Sequence, residues 1–169
     1  MSDKITPRTQ DVPIFNQEDW DRLIDLETEV GLAREADRQN HSEQTSAALE
    51  SANAAYDSFY AEAAPRAEAV VRLRNVGGRR WREIRRAYPA RDGFGADATF
   101  GFDVEAAFDE VLAACIIAPS FDSDAARDVF IDSIPWGQQS ALVLEAVRLN
   151  QDARIPKAPS ARTETSSAT

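Results

Sequence analysis

Few side chains in this 169-residue chain are of the types that break bonds or hold metals, and their neighbours do not complete a site. His41 is the only histidine and stands among Gln39, Asn40, Ser42 and Glu43. An imidazole placed there reads as a solvated turn residue, because acid–base work or metal binding needs further groups at a definite spacing. Cys115, the only cysteine, falls on the apolar side of a predicted helix, which favours a buried, inert thiol over a nucleophile. The acids Asp103, Glu105, Asp109 and Glu110, and then Asp122, Asp124 and Asp128, match no metal loop and read as solvated helix faces. Gly77-Gly78 ahead of a run of arginines is a fragment of a phosphate-binding turn without the rest of its fingerprint. With no catalytic constellation, the chain is expected to be no enzyme and to carry no metal or cofactor.

Recognition chemistry is better represented. Between Arg66 and Arg91 nine arginines face only Glu68 and Glu83, a local charge of +7 in a chain of net charge −10, so the remainder carries −17. A basic segment of this kind lies against acidic helices of its own chain or of a protein partner, or else against nucleic acid. Only Trp81 and Tyr88 interleave the arginines and no DNA-binding motif is complete, which favours protein over nucleic acid. Trp, Tyr and Arg supply most binding hot spots, so Trp81, Arg82, Arg85, Tyr88, Arg91 and Trp136 are the candidate partner-binding residues. The alternative for the two indoles is that they pin short helices together in the core.

The elements that must position these residues are mainly helical. Residues 1–15, with Pro7 and Pro13 among polar neighbours, suggest a flexible lead-in outside the core. Asn16 caps a predicted helix with Glu18 and Asp19 in its first turn and Trp20, Leu23, Ile24, Leu26, Val30 and Ala33 at mostly helical spacing. Ser42 caps a second, whose stripe is Ala48, Leu49, Ala52, Ala55, Tyr56, Phe59 and Ala63, so residues 16–64 are expected to form a helical hairpin turning near Asn40. Pro65 marks a boundary. Beyond it residues 65–150 are expected to form a compact bundle of short helices, with one short extended segment over 69–76 where Val71 and Leu73 alternate with Arg72 and Arg74. A helix over Arg79–Ala87 stops at Pro89, and the glycine-rich stretch from Arg91 to Phe102 reads as a loop anchored by Phe94, Phe100 and Phe102. Asp103 caps a helix with Ala107, Phe108, Val111, Leu112, Cys115 and Ile116 on its apolar face, ended by Pro119. Ser123 starts another carrying Ala126, Val129, Phe130 and Ser133, and Pro135 opens a last one on which Trp136, Leu142, Val143, Ala146, Val147 and Leu149 continue the core. Residues 151–169, rich in Ser, Thr and Pro, read as a disordered tail.

The order Trp81, the turn Tyr88-Pro89-Ala90-Arg91, Gly101, an apolar helix with Phe108, Leu112 and Ala114 before Pro119, then Trp136, Leu142 and Asn150, resembles the tail assembly chaperones of long-tailed (siphovirus-type) actinobacteriophages. The match runs from about Val70 to Asn150, while the hairpin agrees only in character. The turn has Tyr88 and Ala90 where the family often shows His and Pro, and Asp103 where Asn is common. The resemblance implies a non-enzymatic protein that binds the tape measure protein, keeps its apolar helices soluble and promotes tail tube assembly, then leaves before the virion is complete. It implies further contacts with the tail tube protein, with other copies as a homo-oligomer, and with a longer form of itself made by programmed frameshifting. Ile155, Pro156 and Lys157 are a triplet whose codons can form the slippery sequence such a frameshift uses. The expected location is the host cytoplasm: Met1–Pro13 lacks the apolar core of a secretory signal, no run approaches the length of a membrane span, and a lone cysteine suits a reducing compartment. The rival expectation is a small DNA-binding or regulatory adaptor that uses the arginine-rich segment 79–86.

Overall fold

The computed structural model describes residues 8–151. The predicted tail therefore lies outside the described residues, apart from Gln151, and so does the Ile155-Pro156-Lys157 triplet. In chain order the elements are β1 (Thr9–Ile14), α1 (Gln17–Gln39), α2 (Glu43–Ala63), a 3-10 turn (Ala64–Arg66), β2 (Ala69–Arg74), α3 (Gly78–Ala87), α4 (Gly95–Phe100), α5 (Phe108–Cys115), β3 (Ile116–Ala118), α6 (Asp124–Ser133) and α7 (Trp136–Gln151). The fold is mainly α, with a three-stranded antiparallel sheet in the order β1-β2-β3.

The helical hairpin forms where its caps predict. The Asn16 side chain accepts from the Asp19 backbone N–H, and Ser42 and Thr45 cap each other reciprocally at the start of α2. Such caps satisfy amides that a helix start leaves without partners. At the tip, Asp37 accepts from the hydroxyls of Thr45 and Ser46 at 2.9 and 2.8 Å, and His41 Nδ1 lies 3.2 Å from the same carboxylate on an otherwise exposed ring. At the root, Arg66 closes the hairpin with two bonds to Asp19, Nε to Oδ2 at 2.8 Å and Nη2 to Oδ1 at 2.7 Å. Phe15, Leu23 and Ala63 are buried together there, with Trp20, Tyr56 and Phe59 packed against them.

β2 is the short extended segment, and its alternation has the expected cause. Val71 and Leu73 are fully buried, while Val70, Arg72 and Arg74 point outward. Residues 9–15 overturn the expected flexible lead-in: Thr9–Ile14 pairs with Arg74–Ala69 in antiparallel register, and Ile14 and Phe15 are buried. Pro13 lacks a donor, which an edge strand tolerates.

The rest of the core follows the sequence with several corrections, one of them that Trp136, expected on the core stripe of α7, is 66% exposed. Helix α5 starts at Phe108 rather than at Asp103, whose side chain instead accepts from Ala106 N–H in the preceding turn. It ends at Cys115, so Ile116 lies in β3, opposite Leu73, and not on the helix face. Part of the predicted loop winds into α4, which Gly101 ends at φ 76°, a left-handed conformation that glycine adopts without strain. On α6 it is Ile131, with Phe130 and the following Ile134, that packs inward, while Val129 is 71% exposed. The resulting core joins Val71 and Leu73 to Trp81 and Ile84 of α3, Phe102, the α5 residues Val111, Leu112 and Cys115, and the α7 stripe Leu142, Val143, Ala146, Val147 and Leu149. Asn150 ties the end of α7 to the β2–α3 turn by accepting from Val76 N–H at 3.0 Å.

Candidate functional site

No group of three or more His, Cys, Asp or Glu side chains could hold a metal ion among the described residues. Burial pushes the Cys115 thiol up to about 11, where the reactive thiolate is scarce near neutral pH.

The six candidate partner-binding residues do not form one surface. Trp81 is a core residue: it is 6% exposed and meets Phe102 edge to face, centroids 5.5 Å apart at 84°. Its indole N–H is buried without a hydrogen-bond partner, so the ring is held for its apolar bulk. Trp136 goes the other way; at 66% exposed it lies outside the core and stacks on Phe108, centroids 5.1 Å apart. Tyr88 is half-buried against the core, and its phenol is pushed up chiefly by a hydrogen bond to Glu110. Arg91 is committed within the chain. Its guanidinium pairs with Asp97 at 2.8 Å, Asp103 at 3.0 Å and Glu105 at 3.3 Å, and sits over the Phe94 ring at 4.2 Å. Of the three arginines and the phenol, only Arg82 and Arg85 remain as exposed side chains without a carboxylate partner among the described residues.

The Arg66 and Arg91 pairs carry a pH dependence. Hydrogen bonds from Arg66 hold the Asp19 carboxyl below its ordinary value of 3.8, and those from Arg91 do the same for Asp97. A carboxyl lowered on folding stabilises the fold above its unfolded value and stops doing so as pH falls through the folded one. Urea midpoints are therefore expected to hold from neutral pH down to about pH 5 and to fall progressively below about pH 4. In the double variant Asp19→Asn/Asp97→Asn the same titration should be flatter, and equal slopes would show that these two groups do not govern it.

A different set of residues lines an apolar concavity. A groove of about 460 Å³ runs between β1, the root of the hairpin and α7. Its floor holds Phe15, Trp20 and Leu23, and its walls hold Ile24, Tyr56, Tyr60, Ala141 and Leu144. Ile24 is 41% exposed and Leu144 47%, apolar groups left in water on facing elements. Asp11, Glu27 and Glu145 line it too, with Arg148 as its cation. Burial and then Glu27 push the Tyr56 phenol up, and burial and then Glu145 push up that of Tyr60, so both hydroxyls stay protonated at neutral pH.

One side chain sets the groove's width. Gln138 on α7 is buried, and its amide bridges the backbone of Phe15: Phe15 N–H donates to Oε1 at 2.8 Å, and Nε2 donates to the Phe15 carbonyl at 2.8 Å. The glutamine thus acts as one more paired residue at the end of β1 and fixes α7 against the hairpin's root. Arg66 and Asn16 fix the other wall through Asp19. The sequence signal for this site is Leu144, an apolar residue beside, not within, the stripe of 142, 143, 146, 147 and 149. Ile24 beside Leu23 is its counterpart on α1.

No helix among the described residues is long and apolar enough to cross a membrane. Compared with protein-family models, with curated proteins and with solved structures, the chain finds no match in any of the three.

Proposed function

We propose that this protein is a phage tail assembly chaperone that acts by binding rather than by catalysis, holding apolar helices of the tape measure protein soluble in the host cytoplasm while the tail tube assembles. The observation that carries this reading is the groove between β1, α1, α2 and α7, with Ile24, Tyr56, Tyr60 and Leu144 on its walls. An amphipathic helix presents apolar anchors at i, i+3 and i+4, and a concave apolar strip of this kind receives them. The acids that line the groove, Glu27, Glu145 and Asp11, favour helices whose polar flank carries Lys or Arg. The order of landmarks from Trp81 to Asn150 adds the family resemblance. On this reading the protein departs from the finished virion, and its further contacts are the tail tube protein and a frameshifted longer form of itself.

The test is co-expression with a tape measure protein from a neighbouring gene, where one is encoded, reading how much of that partner stays soluble and co-purifies. Wild-type protein should raise the soluble fraction severalfold. Ile24→Glu/Leu144→Glu puts two charges into the groove at exposed positions and forfeits about 2–3 kcal/mol of apolar contact, roughly a 30- to 150-fold loss of affinity. The variant should keep its helical circular dichroism and lose solubilisation. No solubilisation by the wild type would sink the chaperone reading, whereas solubilisation retained by the variant would move the contact elsewhere.

A further inference from the structure

Strand β1 lies at one edge of the sheet, and its register with β2 fixes where its backbone groups point. In an antiparallel pair, residues that exchange ladder bonds alternate with residues whose N–H and C=O face away from the partner. Asn75 N–H donates to the Arg8 carbonyl at 2.8 Å, so Arg8 and Asn75 are a bonded pair one step beyond Thr9 and Arg74. Gln10, Val12 and Ile14 therefore turn their backbone groups toward β2, while Thr9, Asp11, Pro13 and Phe15 turn theirs outward.

Three details agree with this alternation. Pro13, which has no N–H, falls at an outward position, where it costs the ladder nothing. Asp11 stands opposite Arg72 at a non-bonded position, where facing side chains come closest, and the two form a double bond of carboxylate to guanidinium at 2.6 and 2.8 Å. Phe15 points its N–H and carbonyl away from β2 into the amide of Gln138.

That amide takes the place of one residue of a neighbouring strand. Beyond it the edge continues without a main-chain partner among the described residues, through the Pro13 carbonyl and both backbone groups of Asp11 and Thr9. The Gln10 side-chain amide reaches the Asp11 carbonyl, at 3.2 Å. Open edges are templates for another strand unless they are covered. This one borders the groove, of which Gln10 to Phe15 form a wall, whereas the opposite edge of the sheet, β3, is three residues long.

We infer that the free edge of β1 takes up an extended segment of a partner protein as a fourth, antiparallel strand in line with the Gln138 amide. Thr9 and Asp11 N–H donate to its carbonyls, and the Thr9, Asp11 and Pro13 carbonyls accept from its amides, displacing the Gln10 side chain. Register fixes its side chains too. Residues bonded to Asp11 and Thr9 lie on the exposed Asp11 face, and those between them lie on the face of Val12 and Ile14, toward the groove. The segment is therefore apolar at every second position, with Lys or Arg between, which suits a groove that Glu27 and Glu145 line. This strand and the helix of the chaperone reading draw on the same groove and so compete. The inference stands on backbone geometry and does not rest on the tape measure reading.

The probe is a capped seven-residue peptide of alternating lysine and valine, titrated into the full chain and followed by amide NMR. It should bind with a Kd of about 1 mM or tighter. At saturation, hydrogen exchange should slow about tenfold at Thr9 and Asp11 and change little at Gln10 and Val12, which the ladder already protects. N-methylation of the lysine amides, which face β1, should abolish binding; N-methylation of the valine amides, which face away, should not. Asp11→Pro removes one outward donor and leaves the ladder as Pro13 does, while Asp11→Asn removes the same charge and keeps the donor. With helical circular dichroism unchanged in both, the proline variant should bind about five- to tenfold more weakly than the asparagine variant. Any one of four results would overturn the strand: no binding at about 5 mM peptide, binding that leaves Thr9 and Asp11 exchange as it was, binding that survives methylated lysines, or equal binding by the two Asp11 variants.

Discussion

Phe102→Ala is expected to lower the unfolding free energy by about 3–5 kcal/mol, among the largest losses any single truncation in this chain can cause. Phe102 is fully buried and is, among the described residues, the largest side chain with no exposure. Its ring meets Trp81 edge to face, an arrangement that adds about 0.5–1.5 kcal/mol to the burial of its area. The backbone on either side cannot follow the shrinking side chain. Gly101 holds the left-handed turn that ends α4, Asp103 N–H donates to the Tyr88 carbonyl at 3.0 Å, and the Asp103 carboxylate caps the next turn. A cavity there stays open, and the cavity adds its own cost to the lost transfer energy. Urea unfolding followed by circular dichroism should show a lower midpoint at unchanged slope. A loss below about 1 kcal/mol would mean that α4 and its neighbours collapse onto the gap and are less fixed than their bonds indicate.

Gln138→Leu is the second, and here shape is kept while polarity is lost. The leucine fills most of the volume but leaves the Phe15 N–H and carbonyl without the partners they have at 2.8 Å. Each unpaired buried group costs about 1–3 kcal/mol, so the pair should cost about 2–6 kcal/mol. The expected signature is local as well as global. Hydrogen exchange at Phe15 should accelerate more than exchange in the β2 interior, because the bond lost is the one that ties the end of β1 to α7. On the chaperone reading proposed above, the same variant should also weaken partner solubilisation, since Gln138 ties α7, which carries Leu144, to the end of β1 beside the groove. A fully stable Gln138→Leu protein would show that water or a shifted backbone satisfies Phe15 instead.

Arginines paired within the chain and arginines left exposed are what reading the chain in one dimension cannot separate. Arg82 and Arg91 look alike in sequence, each beside aromatic or turn residues in one basic run. In space Arg91 is ringed by Asp97, Asp103 and Glu105 and holds the α4 turn together, while Arg82 faces solvent. The same applies to the tryptophans. Trp81 and Trp136 both sit in the first turn of a helix, yet one is buried against Phe102 and the other lies on Phe108 with two-thirds of its surface in water.

What the sequence determined by itself is local. The hairpin follows from Asn16 and Ser42 at its two helix starts and from the apolar stripes behind them, because caps and a 3.6-residue period act over neighbours a turn apart. β2 was legible from the alternation of Val71 and Leu73 with Arg72 and Arg74, and the core stripe of α7 from its period. The tertiary structure alone decided β1, a polar stretch with a proline that becomes a strand because the hairpin returns the chain alongside it some sixty residues later. It decided that Ile116 leaves α5 to pair with β2, and that Asp19 and Asp97 are the carboxylates the arginines take. It also decided the groove, whose walls come from β1, the hairpin and α7. Ladder pairing, ion pairing and concavity are all relations between residues far apart in the chain, and no period or cap encodes which distant partner a residue will meet.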